Sequence, residues 1–252
     1  MGMTLVATMT TATTESATLL GLMWLSSAAL PVGGFSYSEG LEAAVDAGQV
    51  YDAASAGQWL SDQLELSVVR AEWPIVARAQ AAFAALDPLA MNAANDWVLR
   101  TRETAELRLQ TEQMGRSLVE WMRAQVSGEP GAPAEVRARW ALLKDLQGPP
   151  TWPVAFALAA WRTGATLRES LLAHGFSWAE NQVQAAIKCV PLGQTAGQQL
   201  LSRLTQALAR AVGAFEARGD PEAKPPEPVA FMPGLAILSA RHETQYTRLF
   251  RS

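Results

Sequence analysis

The chain has 252 residues, of which 49% are hydrophobic and 17% are charged, with a formal net charge of −4 at pH 7. This length is enough for one fairly large domain with a substantial core, and the mildly acidic balance argues against a nucleic-acid-binding protein, which needs clustered positive charge. Ala and Leu dominate while β-branched residues are sparse, a composition that favours helices over sheets.

The cysteine count and the N-terminal segment bear on the cellular compartment in which the protein is expected. Cys189 is the only cysteine, so it has no partner for an intrachain disulfide bond, which favours a reducing environment. Residues 1–20 contain no Lys or Arg and therefore lack the positive region of a secretory signal. Since no apolar run approaches the roughly 18 residues of a membrane span, we expect a cytoplasmic protein without a membrane partner.

The N-terminal part of the chain divides at glycines and prolines. Residues 1–17, rich in Thr, Ala and Met, are predicted to form a disordered leader. Pro31 and the pair Gly33 and Gly34 break any helix, and a short helix is expected to follow and to end at Gly48.

The middle of the chain shows helical periodicity between strong breakers. Pro74 is expected to kink or divide a helical stretch over residues 53–85. Thr166 and Ser177 each precede a Glu by three residues, the capping-box pattern that starts a helix. From caps, apolar periodicity and breakers we predict further helices at residues 87–100, 102–125, 134–146, 153–163, 167–174, 178–189 and 195–217.

The C-terminal part has a different composition. Residues 219–233 contain five prolines and are predicted to be an extended linker. Residues 234–252 are first apolar and then polar and basic. The predicted fold is an all-α, single-domain helical bundle of about nine to ten helices over residues 18–218, followed by the Pro-rich linker and a C-terminal tail over residues 219–252.

Catalytic and metal-binding patterns are sparse. The two histidines and Cys189 have no ligand spacing such as Cys-x-x-Cys, so we predict no metal site and no cofactor. His174 is expected to cap or pack near a helix end, and Cys189 to be a small buried hydrophobic residue. No Gly-x-x-x-x-Gly-Lys-Ser/Thr and no Gly-x-Ser-x-Gly occurs, which argues against a P-loop nucleotidase or a serine hydrolase.

One enzymatic alternative remains open at this stage. Glu112 and His174 could act as acid and base in a small helical enzyme, although an ion pair with Arg116, four residues away, also explains Glu112. We predict that the chain is not an enzyme.

Three segments resemble the UreF family of urease accessory proteins. They are LPVGGFSYSEGLE at residues 30–42, AAIKCVPLGQ at residues 185–194 and RHETQYTRLFRS at residues 241–252. Here they are called the first, second and third motifs. Thr247 in the third motif replaces the Ser that is usual in the family. The motifs lie near the start, in the late middle and at the end, so the resemblance covers nearly the whole chain.

The resemblance implies an all-α fold, a homodimer and a function in nickel insertion into apo-urease. The implied partners are a UreD-type (also called UreH-type) accessory protein, a UreG-type GTPase and, through them, apo-urease. The implied function is that of an adaptor that links the UreD-type scaffold to the GTPase. The alternative is a regulator, either an activator or a gate, of the GTPase that delivers nickel.

The motifs supply the candidate partner-binding residues. Phe35 and Tyr37 are expected to be exposed interface anchors on a Gly-rich loop, unless they pack inward. The tail is expected to become ordered on a UreD-type partner, unless it docks on the bundle as a final helix. The candidates are Gly33, Gly34, Phe35, Ser36, Tyr37, Glu39, Gln194, Arg241, His242, Glu243, Tyr246 and Arg248.

Overall fold

A computed structural model describes residues 3–126, 134–218 and 225–252 of the chain. All regular structure in these ranges is helical, which confirms the all-α fold. The α-helices are α1 (Met3–Leu25), α2 (Leu41–Asp46), α3 (Ala53–Gln63), α4 (Trp73–Ala85), α5 (Pro88–Thr101), α6 (Ala105–Val126), α7 (Ala134–Lys144), α8 (Trp152–Arg162), α9 (Leu167–Cys189), α10 (Gln194–Arg218) and α11 (Pro233–His242).

The described part of the chain also contains two helical segments that are not α-helices. A 3-10 turn covers Gly34–Ser36, and a π-helix covers Leu64–Glu72. Because α3, this π-helix and α4 follow one another without a break, they form one rod. With that rod counted once, the described ranges hold ten helices of α type, in agreement with the predicted nine to ten.

The first helix differs from the predicted disordered leader. Helix α1 begins at Met3, and no Pro or Gly interrupts residues 3–20, so neither of the strongest helix breakers is present. Its C-terminal end is attached to the bundle, where Thr18 Oγ1 donates to the Thr163 carbonyl oxygen at 2.6 Å.

Helix α8 lies at the centre of the bundle. Every residue from Trp152 to Ala160 is buried, as the nearly all-apolar sequence of this helix predicts. Helices α4 and α6 pack against it, and α9 closes a further side. Because small alanines alternate with larger residues along α8, its neighbours approach it closely on several sides.

Helix α9 corrects the prediction of two helices. The capping box at its start is confirmed, since the Thr166 amide donates to Glu169 Oε2 at 2.7 Å and the Glu169 amide donates to Thr166 Oγ1 at 3.3 Å. Ser177 lies within the helix and caps nothing. Gly175 does not end the helix, because its role is close packing: an added Cβ would lie 2.3 Å from Leu208 Cδ2 on α10.

The irregularity predicted around Pro74 takes the form of the π-helix. It ends at Glu72, so its wider turns precede the proline, which lacks an amide hydrogen and cannot continue the regular hydrogen-bond pattern. The Arg70 carbonyl oxygen accepts a hydrogen bond from the Val229 amide at 2.9 Å. The π-helix thereby holds the extended segment that precedes α11.

The C-terminal segment is docked on the bundle. Residues 225–232 run without regular structure along the α3–α4 rod, where Arg78 and Glu227 form an ion pair at 2.7 Å. Helix α11 buries Leu235 and Leu238. The structure thus has the docked final helix that the sequence left as the alternative to a free tail. Residues 219–224 of the predicted linker lie outside the described residues.

Gly115 supplies a test of the packing between α6 and the start of α8. An added Cβ would lie 2.1 Å from the Pro150 carbonyl oxygen, a backbone atom that cannot move aside cheaply. We predict that Gly115→Ala lowers the free energy of unfolding by about 3 kcal/mol, as overpacking against rigid neighbours does. Denaturant unfolding of the isolated chain measures this change.

Gly213 is the matched control within α10. It is exposed, and an added Cβ would have no neighbour within 4 Å. Gly213→Ala is expected to raise the free energy of unfolding by about 0.5–1 kcal/mol, because Ala loses less backbone freedom in a helix. Equal effects of the two substitutions would contradict the proposed close packing at Gly115.

Candidate partner-binding face

The first motif forms a tight loop between α1 and α2. Gly33 has a φ of 75°, and a 3-10 turn follows at Gly34–Ser36. Glu39 and Gly40 also have positive φ values, 51° and 77°. A left-handed backbone costs a non-glycine residue about 1–3 kcal/mol and persists only where its surroundings hold it. The backbone conformation of Glu39 therefore marks this loop as a constrained segment.

The two aromatic residues of the loop have opposite environments. Phe35 is 56% exposed, whereas Tyr37 is 4% exposed. The Tyr37 hydroxyl group donates to Gln113 Oε1 on α6 at 2.5 Å. Burial raises the pKa of Tyr37, and Arg251 opposes this rise by hydrogen bonding and by its charge. The prediction of an exposed anchor is wrong for Tyr37, while Phe35 is exposed as predicted.

The third motif lies directly against this loop. The Arg251 amide donates to the Ser36 carbonyl oxygen at 2.8 Å, and the Ser38 amide donates to the Ser252 carbonyl oxygen at 2.8 Å. The Ser38 hydroxyl group donates to the same Ser252 oxygen at 2.5 Å. The first and third motifs, about 200 residues apart in sequence, are therefore joined by backbone hydrogen bonds.

Glu42 is the centre of the contact between α2 and the third motif. Its Oε1 atom accepts from the Leu249 amide at 2.7 Å, and its Oε2 atom accepts from the Phe250 amide at 2.9 Å. His242 Nε2 lies 3.2 Å from Oε2 of the same carboxylate. Both carboxylate oxygens are thus engaged by the third motif, and hydrogen bonds to a charged group are among the stronger ones.

His242 bridges two carboxylates in the interior. Its ring is fully buried, with Nε2 facing Glu42 and Nδ1 2.7 Å from Glu106 Oε2 on α6. Arg248 Nη1 lies 2.6 Å from the other oxygen of Glu106. The ring thus contacts a carboxylate of α2 on one side and a carboxylate of α6 on the other. His242 is therefore an internal residue that holds α11 in place.

The second motif contacts the third through Lys188. Lys188 Nζ lies 5.5 Å from the centre of the Phe250 ring, in a cation–π contact. Gln194, the last residue of this motif, is exposed at the start of α10. Within the described ranges no hydrogen bond joins it to the loop or to the third motif. The structure therefore does not bring Gln194 together with the other candidates.

The remaining candidates divide into inward and outward residues. Besides Tyr37 and His242, the inward group contains Gly34, which is buried, and Glu39, whose carboxylate lies in the interior. Ser36 and Gly33 are half-buried. The outward group consists of Phe35, Gln194, Arg241, Glu243, Tyr246 and Arg248.

Several residues of this region were absent from the candidates. Glu42 belongs to the first motif, but the sequence offered no sign that it would accept two backbone amides of the third. Leu249 is 62% exposed beside these contacts, and Arg251 lines an open cleft of about 400 Å³ between the loop and α6. The basic and apolar character of the third motif was the one signal that could have identified Leu249 and Arg251.

The acid–base pair considered from the sequence is not assembled. Glu112 lies on α6 between Arg108 and Arg116, at 3.2 and 3.1 Å, so the predicted ion pair with Arg116 is confirmed. His174 is fully buried in the middle of α9, not at a helix end. Burial, followed by the charge of Arg102, lowers the pKa of His174 to about 3, so its ring is neutral at ordinary pH.

Metal-ligand and thiol chemistry were also sought in the described part of the chain. No cluster of three or more His, Cys, Asp or Glu side chains that could hold a metal ion occurs there. Burial, followed by the charge of Glu42, raises the pKa of Cys189 to about 12, which disfavours the reactive thiolate. Among the described helices, none is long and apolar enough to cross a membrane.

Comparison with known proteins identifies the family. The model of the UreF family matches residues 50–205 of the chain. The chain is 57% identical over 241 residues to the urease accessory protein UreF of Methylibium petroleiphilum, an alignment that covers 96% of this chain and 97% of that protein. The chain belongs to the UreF family.

Two further relatives agree with this assignment. The urease accessory protein UreF of Paracidovorax citrulli is 56% identical, with 94% of this chain and 90% of that protein aligned. The corresponding protein of Ralstonia pickettii is 45% identical, with 95% and 100% aligned. These UreF proteins are named as accessory proteins, so the family is one of urease accessory proteins. The resemblance inferred from the three motifs is confirmed.

Tyr37 provides a test of the loop in the isolated UreF-family chain. We predict that Tyr37→Phe lowers the free energy of unfolding by about 1 kcal/mol, because it leaves Gln113 without its partner. Tyr37→Ala is expected to lower it by about 3 kcal/mol or more, because it also leaves a cavity. Phe35→Ala, the control on the exposed side of the same loop, is expected to change it by less than about 0.5 kcal/mol. If Tyr37→Ala left the free energy of unfolding unchanged, Tyr37 would again be a candidate interface anchor.

Proposed function

We propose that this urease accessory protein is an adaptor in the insertion of nickel into apo-urease. It links a UreD-type (UreH-type) accessory protein to a UreG-type GTPase and has no catalytic site of its own. The single observation that supports this proposal most strongly is the junction of the first and third motifs in one hydrogen-bonded unit with apolar side chains on its outer side. A unit of this kind fits recognition of a partner rather than catalysis.

The outer side of this unit is here called the motif face and consists of Phe35, Tyr246, Leu249 and Arg251. Tyr246 is fully exposed, and Phe35 and Leu249 are more than half exposed. Aromatic, aliphatic and arginine side chains of this kind are the usual anchors of protein interfaces. The Arg251 amide is fixed to Ser36, so the backbone beneath the face is rigid and little entropy is lost when a partner binds.

The cleft beside the motif face supports a partner with acidic side chains. Arg116 and Arg251 both line it, and the buried Tyr37 forms its floor. Arginines suit bidentate contacts with carboxylates. Glu120 lines the same cleft, so a partner would need to pair with the arginines without approaching this carboxylate. The motif face and the cleft together offer an apolar centre with a charged rim, as interfaces commonly do.

The motif face can be tested by substitution in the full chain. We predict that Phe35→Ala and Leu249→Ala each weaken binding of the UreD-type partner or of the GTPase by roughly 30-fold, since loss of an anchor costs about 2 kcal/mol. Calorimetric titration with each purified partner measures the effect. Leu89→Ala on α5 is the control, because Leu89 is equally apolar and 81% exposed but lies outside the three motifs.

The proposal would be lost if both motif-face variants bound every urease maturation partner as tightly as the Leu89 variant did. GTP turnover by the UreG-type partner, measured with and without this chain, separates the adaptor from the alternative of a GTPase regulator. An adaptor leaves turnover in the binary mixture unchanged, whereas an activator or a gate raises or lowers it.

We also propose that the chain forms a homodimer through α1. Leu19, Leu20, Met23 and Trp24 form an apolar strip on this helix, and each of them is half or more exposed. An open groove of about 890 Å³ beside the strip runs between α1 and α9 and includes Leu172 and Phe176. Exposed apolar surface of this kind usually marks an interface. A symmetric pairing of two copies would bury the strip of each copy against the other copy.

The dimer proposal predicts that Leu20→Asp combined with Met23→Asp makes the chain monomeric. Both side chains are more than half exposed, so the monomer should keep its helical content while buried charge prevents the pairing. Analytical ultracentrifugation measures the mass in solution. Leu89→Asp is the matched control and should leave the association state unchanged. A dimer that survives the double substitution would place the interface elsewhere.

A cytoplasmic location is part of the same proposal. It is supported by the single cysteine, which is typical of a reducing compartment.

A further inference from the structure

A small polar cavity lies beneath the start of α11. Its volume is about 40 Å³, which is room for two or three water molecules. The first motif, the π-helix, α6, α8 and α9 form its walls, and Met232 and Leu235 close it on the side of the C-terminal segment. Release of that segment would therefore open the cavity to solvent.

The carboxylate of Glu39 lies in this cavity. Glu39 Oε2 accepts from Trp178 Nε1 at 2.9 Å, and Oε1 accepts from Gln110 Nε2 at 2.7 Å. Both donors are neutral. The left-handed backbone of Glu39, with a φ of 51°, directs this long polar side chain inward, and the structure holds that costly conformation in place. A buried carboxylate bound only by neutral donors is poorly stabilised in its charged form.

In the described part of the chain, the charged groups around Glu39 include no cationic side chain that pairs with Glu39 itself. From the π-helix, Glu72 faces the cavity and is paired with Arg102, which precedes α6. Glu103 is exposed at the rim. Helix α9 contributes neutral groups, and His174 lies behind Glu72 at 3.5 Å. Because Glu72 already has the guanidinium group as its partner, a single proton shared between the two buried glutamates is favoured on Glu39.

We propose that Glu39 is a proton-binding site that couples docking of residues 232–242 to pH. In the docked state the closed cavity favours the neutral carboxyl group. When the segment leaves, water enters and Glu39 releases its proton to solvent. Docking of the segment that carries the third motif is thus accompanied by uptake of one proton.

The direction of the pKa shift of Glu39 agrees with this geometry and determines whether docking strengthens or weakens as pH rises. Burial, followed by the charge of Glu72, raises the pKa of Glu39 above the ordinary 4.5, while the Trp178 and Gln110 hydrogen bonds and the Arg102 charge oppose the rise. Below the ordinary pKa both states hold the proton, so docking is strongest there. As pH rises above 4.5, the released state loses its proton first, and docking weakens until the raised pKa is passed.

Hydrogen exchange of the full, free chain tests the proposal. Amide protection of residues 232–242, corrected for the intrinsic exchange rate, reports the docking equilibrium between about pH 5 and about pH 8. Glu39→Gln imitates the neutral carboxyl group and cannot titrate. Glu103→Gln is the matched control, since it removes the same charge at the exposed rim of the same cavity. His242, the last residue of α11, keeps its contacts with Glu42 and Glu106 in every variant, so only the difference from wild type is assigned to Glu39.

We expect the docking constant of wild type to fall with rising pH more steeply than that of Glu39→Gln. The difference between the two slopes can reach tenfold per pH unit, which is the limit for uptake of one proton. Glu39→Gln should also dock more tightly than wild type at neutral pH, whereas mere loss of a contact would loosen it. Glu103→Gln should follow wild type. Equal slopes for wild type and Glu39→Gln would overturn the proposal.

A second measurement does not depend on the folding of Glu39→Gln. The chemical shift of the Glu39 carboxyl carbon, followed by NMR, gives its titration in wild type and in Leu235→Ala, which loosens the cover of the cavity. We expect a raised pKa in wild type that moves back towards 4.5 in Leu235→Ala. An ordinary pKa in wild type would refute proton binding at Glu39. Both experiments use the chain without partners, so their failure leaves the adaptor proposal standing, and loss of the adaptor proposal leaves them unaffected.

Discussion

The carboxylate of Glu42 is the contact on which the C-terminal third motif depends. It accepts two consecutive backbone amides, from Leu249 and Phe250, and faces the buried ring of His242. These two amides lie outside any helix, so the carboxylate supplies the acceptors that a helix would otherwise provide. Because Glu42 is in the first turn of α2, the position of the first motif fixes the position of the third. The motif face and the cover of the Glu39 cavity both depend on this attachment.

A consequence is that the C-terminal segment has two sides with different chemistry. Its inner side contacts the carboxylates of Glu42 and Glu106 and covers the cavity of Glu39. Its outer side presents Tyr246 and Leu249. Residues such as His242 serve the inner side and are unavailable to a partner while the segment is docked. Under the adaptor proposal, partner recognition in the docked state is therefore restricted to the outer residues, and any condition that weakens the inner contacts also alters the surface that a partner meets.

Local signals predicted the helices well where the deciding contacts are themselves local. The cap of α5 is an example, since Asp87 accepts from the amides two and three residues later. The sequence failed where a distant residue decides the outcome. The sequence predicted a helix end at residue 174, but α9 continues, and the small size of Gly175 accommodates Leu208 of α10. Tyr37 was predicted to be an exposed anchor from its Gly-rich loop, but its partner Gln113 is remote in sequence and no local pattern shows the contact. The motifs identified the family and this region, but they did not distinguish inward from outward residues.

The contacts that hold the C-terminal segment on the bundle differ in burial and in strength. The ion pair of Arg78 with Glu227 joins a half-buried arginine to an exposed carboxylate, and such pairs contribute little. The Glu42 and Glu106 contacts of His242 are buried, so loss of either carboxylate would leave polar groups without partners in the interior. Glu39 acts in the opposite direction, because burying its charge disfavours the docked state unless a proton is bound. The balance between these terms, rather than any one contact, sets how readily the segment leaves, and under the proposal above protonation of Glu39 shifts that balance towards docking.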